Sequence, residues 1–223
     1  MVDAAIDYGI MLLWGVCWSI AYLAMIHRGF REKTYCMPAF ALFFNISWEF
    51  IFAFVMPLLH PIDSTLELLI NIIWVSFDAL IFCTYLLYGR KYFPKNIDQK
   101  WFLPWSILGL AVSFLFVLLI SLDISDYIGM YAAFISNLIM SVLFIDMLVK
   151  RGNPEGQSMV IAVSKCIGTM APTVYFYIFF TNVFILYLGV SCAVFDMIYI
   201  VMLHNSIKAS RKLEPSIPVA NTA

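Results

Sequence analysis

The 223-residue sequence predicts an all-α polytopic membrane protein, a seven-transmembrane-helix bundle with the N-terminus out and the C-terminus cytoplasmic. Three observations carry that expectation. Apolar residues make up 63% of the chain and charged residues 12%, against roughly 45–50% and about 25% in a soluble domain. Seven stretches approach the roughly 20 apolar residues that a span requires. Twelve of the thirteen Lys and Arg residues then fall between or after those stretches, all on one side.

The expected spans are 6–26, 38–59, 66–88, 102–122, 128–149, 159–180 and 182–204. Lipid offers no partner to a bare backbone, so each must be helical; the alternation of a β-barrel is missing. The links carry turn chemistry: His60-Pro61-Ile62-Asp63-Ser64, Tyr92-Phe93-Pro94-Lys95-Asn96 and Gly152-Asn153-Pro154-Glu155-Gly156. The last two spans nearly touch at Thr181-Asn182. One transmembrane domain over 1–212 is expected, with a flexible tail over 213–223. No loop is long enough to house a soluble catalytic domain, so any chemistry belongs inside the bundle or at its rim. The first apolar stretch is long enough to span and follows Asp3 and Asp7 instead of a basic region, which argues against a cleaved signal peptide.

Orientation follows from charge. Arg28, Arg31 and Lys33 follow the first span, and Arg90, Lys91, Lys95 and Lys100 the third. Lys150 and Arg151 follow the fifth, and Lys208, Arg211 and Lys212 the seventh. The opposite loops hold acids such as Asp63, Asp123 and Asp126. The positive-inside rule assigns the basic side to the cytoplasm of a bacterial inner membrane or of the endoplasmic reticulum. A net charge of −1 gives no nucleic-acid surface. The five cysteines form no CxxC pair, and His27, His60 and His204 sit near span ends, so neither a disulfide framework nor a metal site is expected.

The informative residues are those that hydropathy disfavours, because an Asp, Lys or Arg at mid-span costs roughly 2.5–3.5 kcal/mol on insertion. Glu49, Asp78, Asp146, Lys165 and Asp196 qualify. Asp146 lies one turn from Lys150 and Arg151 and reads as an interfacial ion pair. Counted from the basic end, Glu49 lies about eleven residues in, Asp78 about ten, Asp196 about eight and Lys165 about six, within roughly 8 Å of one another in depth. A shared cavity is expected. Asn45, Trp48, Glu49 and Phe52 make one helical stripe, and Asn71, Trp74 and Asp78 another. Tyr199 follows Asp196 by one turn, and Thr169 follows Lys165. Asn45, Asn71 and Asn137 also suit plain interhelical hydrogen bonding. Three acids face one lysine, so at least one acid lacks a counter-charge and is expected to keep its proton. Trp48 and Trp74 sit beside the acids, where their ring faces could stabilise a cation.

The pairs Phe77-Asp78 and Phe195-Asp196 echo one another at similar depth on the third and seventh spans. A three-plus-one-plus-three parallel repeat would produce that echo, as in small sugar transporters. A seven-helix transporter with a midplane acidic site is therefore an alternative, and a structural or lipid-binding subunit a third.

The stretch REKTYCMPAFALFFNISWEFIFAFVMP, from Arg31 to Pro57, resembles the signature of the membrane-integral terpene cyclases of fungal meroterpenoid and indole-diterpene pathways and their bacterial relatives. The likeness rests on the turn before the second span and on Asn45, Trp48 and Glu49. Asp196 within AVFDMIYI supports it, and Lys165 and Gly168 of SKCIG do so more loosely. The resemblance implies that Glu49 and Asp196 are the family's catalytic carboxyls. They would protonate the terminal epoxide or alkene of a lipophilic prenylated substrate and start a cationic cyclisation of isomerase or lyase type. From the stripes and depths above, Asn45, Trp48, Trp74, Asp78 and Tyr199 are expected as pocket residues and Lys165 as an ion-pair anchor. The DxDD and DDxxD motifs of soluble terpene cyclases are absent from the sequence, so no cofactor or magnesium-diphosphate site is implied.

Overall fold

Backbone hydrogen bonding inside the bilayer must close within each segment, and the helices follow that rule. The structure, a computed structural model, describes residues 2–60 and 65–213. Among the described residues, seven helices are long and apolar enough to cross a membrane: α1 (Val2–Glu32), α2 (Ala39–Leu59), α3 (Thr65–Tyr88), α4 (Phe102–Asp123), α5 (Met130–Arg151), α6 (Met159–Phe180) and α7 (Val183–Leu213). Short 3-10 turns at Gly89–Tyr92 and Gln99–Trp101 flank the connection between α3 and α4. Helices α1 and α7 outrun their apolar stretches and carry Arg28, Arg31, Lys208 and Arg211. Long basic side chains reach the headgroups while the helix continues, so hydropathy ends before the backbone does. Most of the 60–64 turn, including Asp63, and the tail beyond Leu213 lie outside the described residues.

Helix α3 packs between α1 and α2, and α7 packs between α5 and α6. The two triplets join where α1 lies along α6 and α2 against α5. The result is a ring in the order α1, α3, α2, α5, α7, α6. Helix α4 sits outside it on α2, and its sequence explains why. Ser106, Gly109, Ser113, Val117 and Ser121 form a buried stripe of mostly small residues, which lets two helices approach closely. Its other face exposes Leu103, Ile107, Val112, Leu115 and Leu119.

Helix α2 contains a π turn over Ile51–Val55, just before Pro57. Proline has no N–H for the preceding turn and its ring crowds that turn; a π turn absorbs the misfit. Asn71 of α3 donates to the Phe52 carbonyl there, at 3.3 Å. At the acidic end, Asp126 accepts from the backbone of Met130 (2.9 Å) and Tyr131 (2.7 Å), capping α5. Burial pushes its carboxyl above the usual aspartate range.

The basic end is knit across three connections. The Arg151 guanidinium lies over the rings of Tyr35 (4.4 Å) and Tyr92 (4.1 Å). It donates to the carbonyls of Glu155 (2.7 Å) and Tyr35 (3.0 Å). Glu32 accepts from the Gly156 N–H at 2.8 Å, Thr34 bonds Tyr92 at 2.7 Å, and Lys91 pairs with Glu155 at 2.7 Å. Cys36, in the first connection, is fully buried, and burial pushes its thiol up to about 12. Asp146 pairs with Lys150 at 2.8 Å, the interfacial bridge its position suggested.

Close approach of α6 and α7 depends on Gly189, whose missing Cβ would collide with the Thr173 side chain. Gly189→Ala should therefore destabilise the bundle by roughly 1–3 kcal/mol, read as a lower melting temperature in detergent; an unchanged melt would show that these helices slide apart freely.

Candidate active site

Glu49, Asp78, Lys165 and Asp196 are all buried, none more than 3% exposed. Their hydrogen bonds divide them into two networks, one in each helix triplet.

The first network joins α1, α2 and α3. The Tyr22 hydroxyl donates to Glu49 Oε1 at 3.0 Å. Asn45 Nδ2 donates both to the Tyr22 oxygen at 2.6 Å and to Asp78 Oδ2 at 2.7 Å. Among the described residues, Glu49 Oε2 and Asp78 Oδ1 are buried with no hydrogen-bond partner, and no ion pair reaches either acid. An isolated ionised carboxylate in such surroundings is costly, and neither acid has a cation beside it to offset that cost. Aromatic rings wall it: Trp18, Trp74 and Phe77 lie 5.8, 6.2 and 6.3 Å from the Tyr22 ring. The Trp74 indole is fixed by donating to Ser19 at 3.2 Å.

The second network joins α5, α6 and α7. Lys165 Nζ donates to both oxygens of Asp196, at 2.8 and 2.9 Å, and to Ser141 Oγ at 2.7 Å. Those three bonds use all three ammonium protons. Asp196 is thereby ion-paired to Lys165. Asn137 donates to Thr169 at 2.8 Å, an interhelical tie with no acid attached. Trp18 lies between the networks, packed on Tyr22 and against Gly168, where a Cβ would come within 2.9 Å of its ring.

The expected stripes separate on folding. Asn45, Glu49, Trp74 and Asp78 come together, but Trp48 does not join them. Its indole turns to the acidic end, donating to the Gly129 carbonyl at 2.8 Å and packing on Phe52 at 4.8 Å. The π turn below it and the left-handed Gly129 backbone (φ 73°) shape that seat. Tyr199 points the other way: its hydroxyl donates to Gln157 at 3.0 Å and its ring packs on Phe144 at 5.2 Å. Both residues brace the ends of the bundle. Tyr22 and Ser141 escaped sequence reading, since neither a tyrosine nor a serine disturbs hydropathy in an apolar span. An aromatic pocket of about 550 Å³ also opens at the basic rim between Tyr35, Tyr85, Phe93, Trp101 and Trp105; none of the acids lines it.

The anchor role of Lys165 is open to a stability test. Lys165→Met strands Asp196 without a counter-charge and should cost about 3–5 kcal/mol. The combined Lys165→Met, Asp196→Leu variant should recover most of it, measured by thermal unfolding in detergent; equal losses in both would show that the pair is not what holds these helices.

A Pyr4-family terpene cyclase of Annulohypoxylon moriforme is 30% identical over 166 residues, covering 73% of this chain and 66% of the relative. A terpene cyclase of Aspergillus fumigatus, pyr4, is 21% identical over 206 residues, covering 86% and 83%. An asnovolin H synthase of Aspergillus novofumigatus is 25% identical over 164 residues, covering 71% and 65%. The chain thus spans just under two thirds of the length of the first and third of these relatives. No solved structure matches it. The profile of the Pyr4-like transmembrane terpene cyclases matches residues 3–209, nearly the whole described bundle, and the chain is an integral, multi-pass membrane protein belonging to that family.

Proposed function

We propose that the protein is a membrane-bound terpene cyclase in which Glu49 protonates the terminal epoxide or alkene of a prenylated, lipophilic substrate. The observation that carries this reading is the state of Glu49: one oxygen held by Tyr22, the other buried without a partner, and no cation in the network. A neutral carboxylic acid is what general-acid catalysis at neutral pH requires.

The proton on Oε2 passes to the epoxide oxygen, the C–O bond opens, and the resulting cation is attacked in turn by the double bonds of the prenyl chain. A proton lost from the last cation to a carboxylate closes the cycle, so the product is an isomer of the substrate. The rings of Trp18, Tyr22, Trp74 and Phe77 offer π faces to the travelling charge. Asp196, ionised and matched by Lys165, supplies a fixed anion on the facing triplet. The two acids first read as one protonating pair are thus given different tasks: Glu49 donates and Asp196 stabilises. Asn45 and Asp78 orient the donor, while Trp48 and Tyr199 serve the frame.

The knit basic end favours access from the bilayer, where a prenylated molecule already resides, and a water-poor interior protects the cation from quenching. In the orientation proposed from charge, that end faces the cytoplasm. The transporter alternative suggested by the Phe-Asp echo finds no support among the relatives, which are named as terpene cyclases.

Glu49→Gln keeps the shape and the Tyr22 hydrogen bond but removes the acid. It should lower turnover of a prenylated aromatic substrate, supplied with and without a terminal epoxide, by at least about 100-fold, with folding intact by circular dichroism. Full turnover in that variant would end the assignment.

A further inference from the structure

The two networks occupy matching places. Asn45 stands six residues into α2, and Lys165 six residues into α6. Tyr22 stands ten residues before the end of α1, and Ser141 ten before the end of α5. After each of those ends the next connection starts in left-handed backbone, at Lys33 (φ 51°) and Gly152 (φ 65°). Asp78 and Asp196 each follow a phenylalanine on the third helix of their triplet. The helix order repeats too, with the third helix of each triplet packed between the first two.

In both halves the second helix therefore sends a nitrogen donor that clamps an acid of the third helix and a hydroxyl of the first. In one half the donor is the Lys165 ammonium, joining Asp196 to Ser141. In the other it is the Asn45 amide, joining Asp78 to Tyr22. Glu49, one turn beyond Asn45, is what the first half adds; its counterpart one turn beyond Lys165 is Thr169.

We infer that Asp78 is a positioning residue, acting through Asn45 and Tyr22 to set which oxygen of Glu49 delivers the proton. This rests on the reading of Glu49 as the acid. The hydrogen-bond count fixes the logic. Asn45 Nδ2 has two protons, and with Asp78 accepting one, the other falls on the Tyr22 oxygen. Tyr22 must then turn its own proton to Glu49 Oε1, which makes Oε1 the carbonyl oxygen and leaves Oε2 as the O–H. Without an acceptor at position 78, the amide is free to flip and present its oxygen. Tyr22 would then donate to Asn45, and Glu49 would lose its tether. What Asp78 supplies is an acceptor, not a charge.

The two roles predict different variants. Asparagine at position 78 still offers a carbonyl oxygen, whereas leucine offers nothing. With the full chain in lipid nanodiscs and a farnesylated phenol bearing a terminal epoxide as probe, Tyr22→Phe and Asp78→Leu should each lower kcat about tenfold. Asp78→Asn should retain most of the turnover, and the Tyr22→Phe, Asp78→Leu combination should be no worse than either alone, because both break one chain of bonds. Infrared difference spectra supply a readout that needs no substrate. Glu49→Gln should delete one protonated-carboxyl C=O band; Tyr22→Phe and Asp78→Leu should shift that band upward together, and Asp78→Asn should leave it in place. Asp78→Asn behaving like Asp78→Leu, losses that multiply toward a hundredfold in the combination, or a Glu49 band unmoved by Tyr22→Phe would each overturn the inference. A Glu49→Gln spectrum that loses no band would instead remove the acid assignment beneath it.

Discussion

A carboxyl group inside hydrocarbon has two ways to persist: it keeps its proton, or it finds a cation that spends every hydrogen bond on it. This chain uses both within one bundle. Asp196 takes the second way, with Lys165 committed to it and to Ser141. Glu49 and Asp78 have no cation beside them and are bound only to the neutral donors Tyr22 and Asn45, the setting that the first way requires. Much else in the bundle serves that division. Aromatic rings surround the uncompensated acids, small residues bring the helices close enough for side chains to meet, and side-chain contacts tie the connections of the basic end together. An acid without a counter-charge in one triplet and a buried ion pair in the other are the features on which the proposed cation-driven cyclisation draws.

The ring itself follows from how each triplet is wound. Because α3 lies between α1 and α2, and α7 between α5 and α6, every helix except α4 turns one face to the interior. Helix α4 has no charged group at mid-span and packs outside on a stripe of small residues. Its place connects the two triplets without interrupting the ring.

Much of this was legible in the residues. Seven spans follow from apolar length alone, and the buried charges announce themselves because hydropathy disfavours them. The pairing of Lys165 with an acid could be expected from charge; which acid it takes could not, since that depends on α6 and α7 lying side by side. Trp48 shows how a helical stripe misleads. It lies on the same stripe as Asn45 and Glu49, yet its indole reaches the acidic end of the bundle and donates to the Gly129 carbonyl. Tyr22 marks the opposite gap. Nothing in an apolar run distinguishes a tyrosine that packs from one that holds a carboxyl, and only the meeting of α1 with α2 and α3 separates them. The Phe-Asp echo was a faint trace of the architectural repeat, too short to weigh until the helix order was known.

The Arg151 clasp at the basic end has an evolutionary corollary. Its hydrogen-bond acceptors are main-chain carbonyls, of Tyr35 and Glu155, which every residue type provides. Mutational drift in those connecting segments leaves the acceptors where they are, so long as the guanidinium and a flat ring beneath it survive. Clasps built on backbone acceptors allow the surrounding loops to diversify while the connections stay tied.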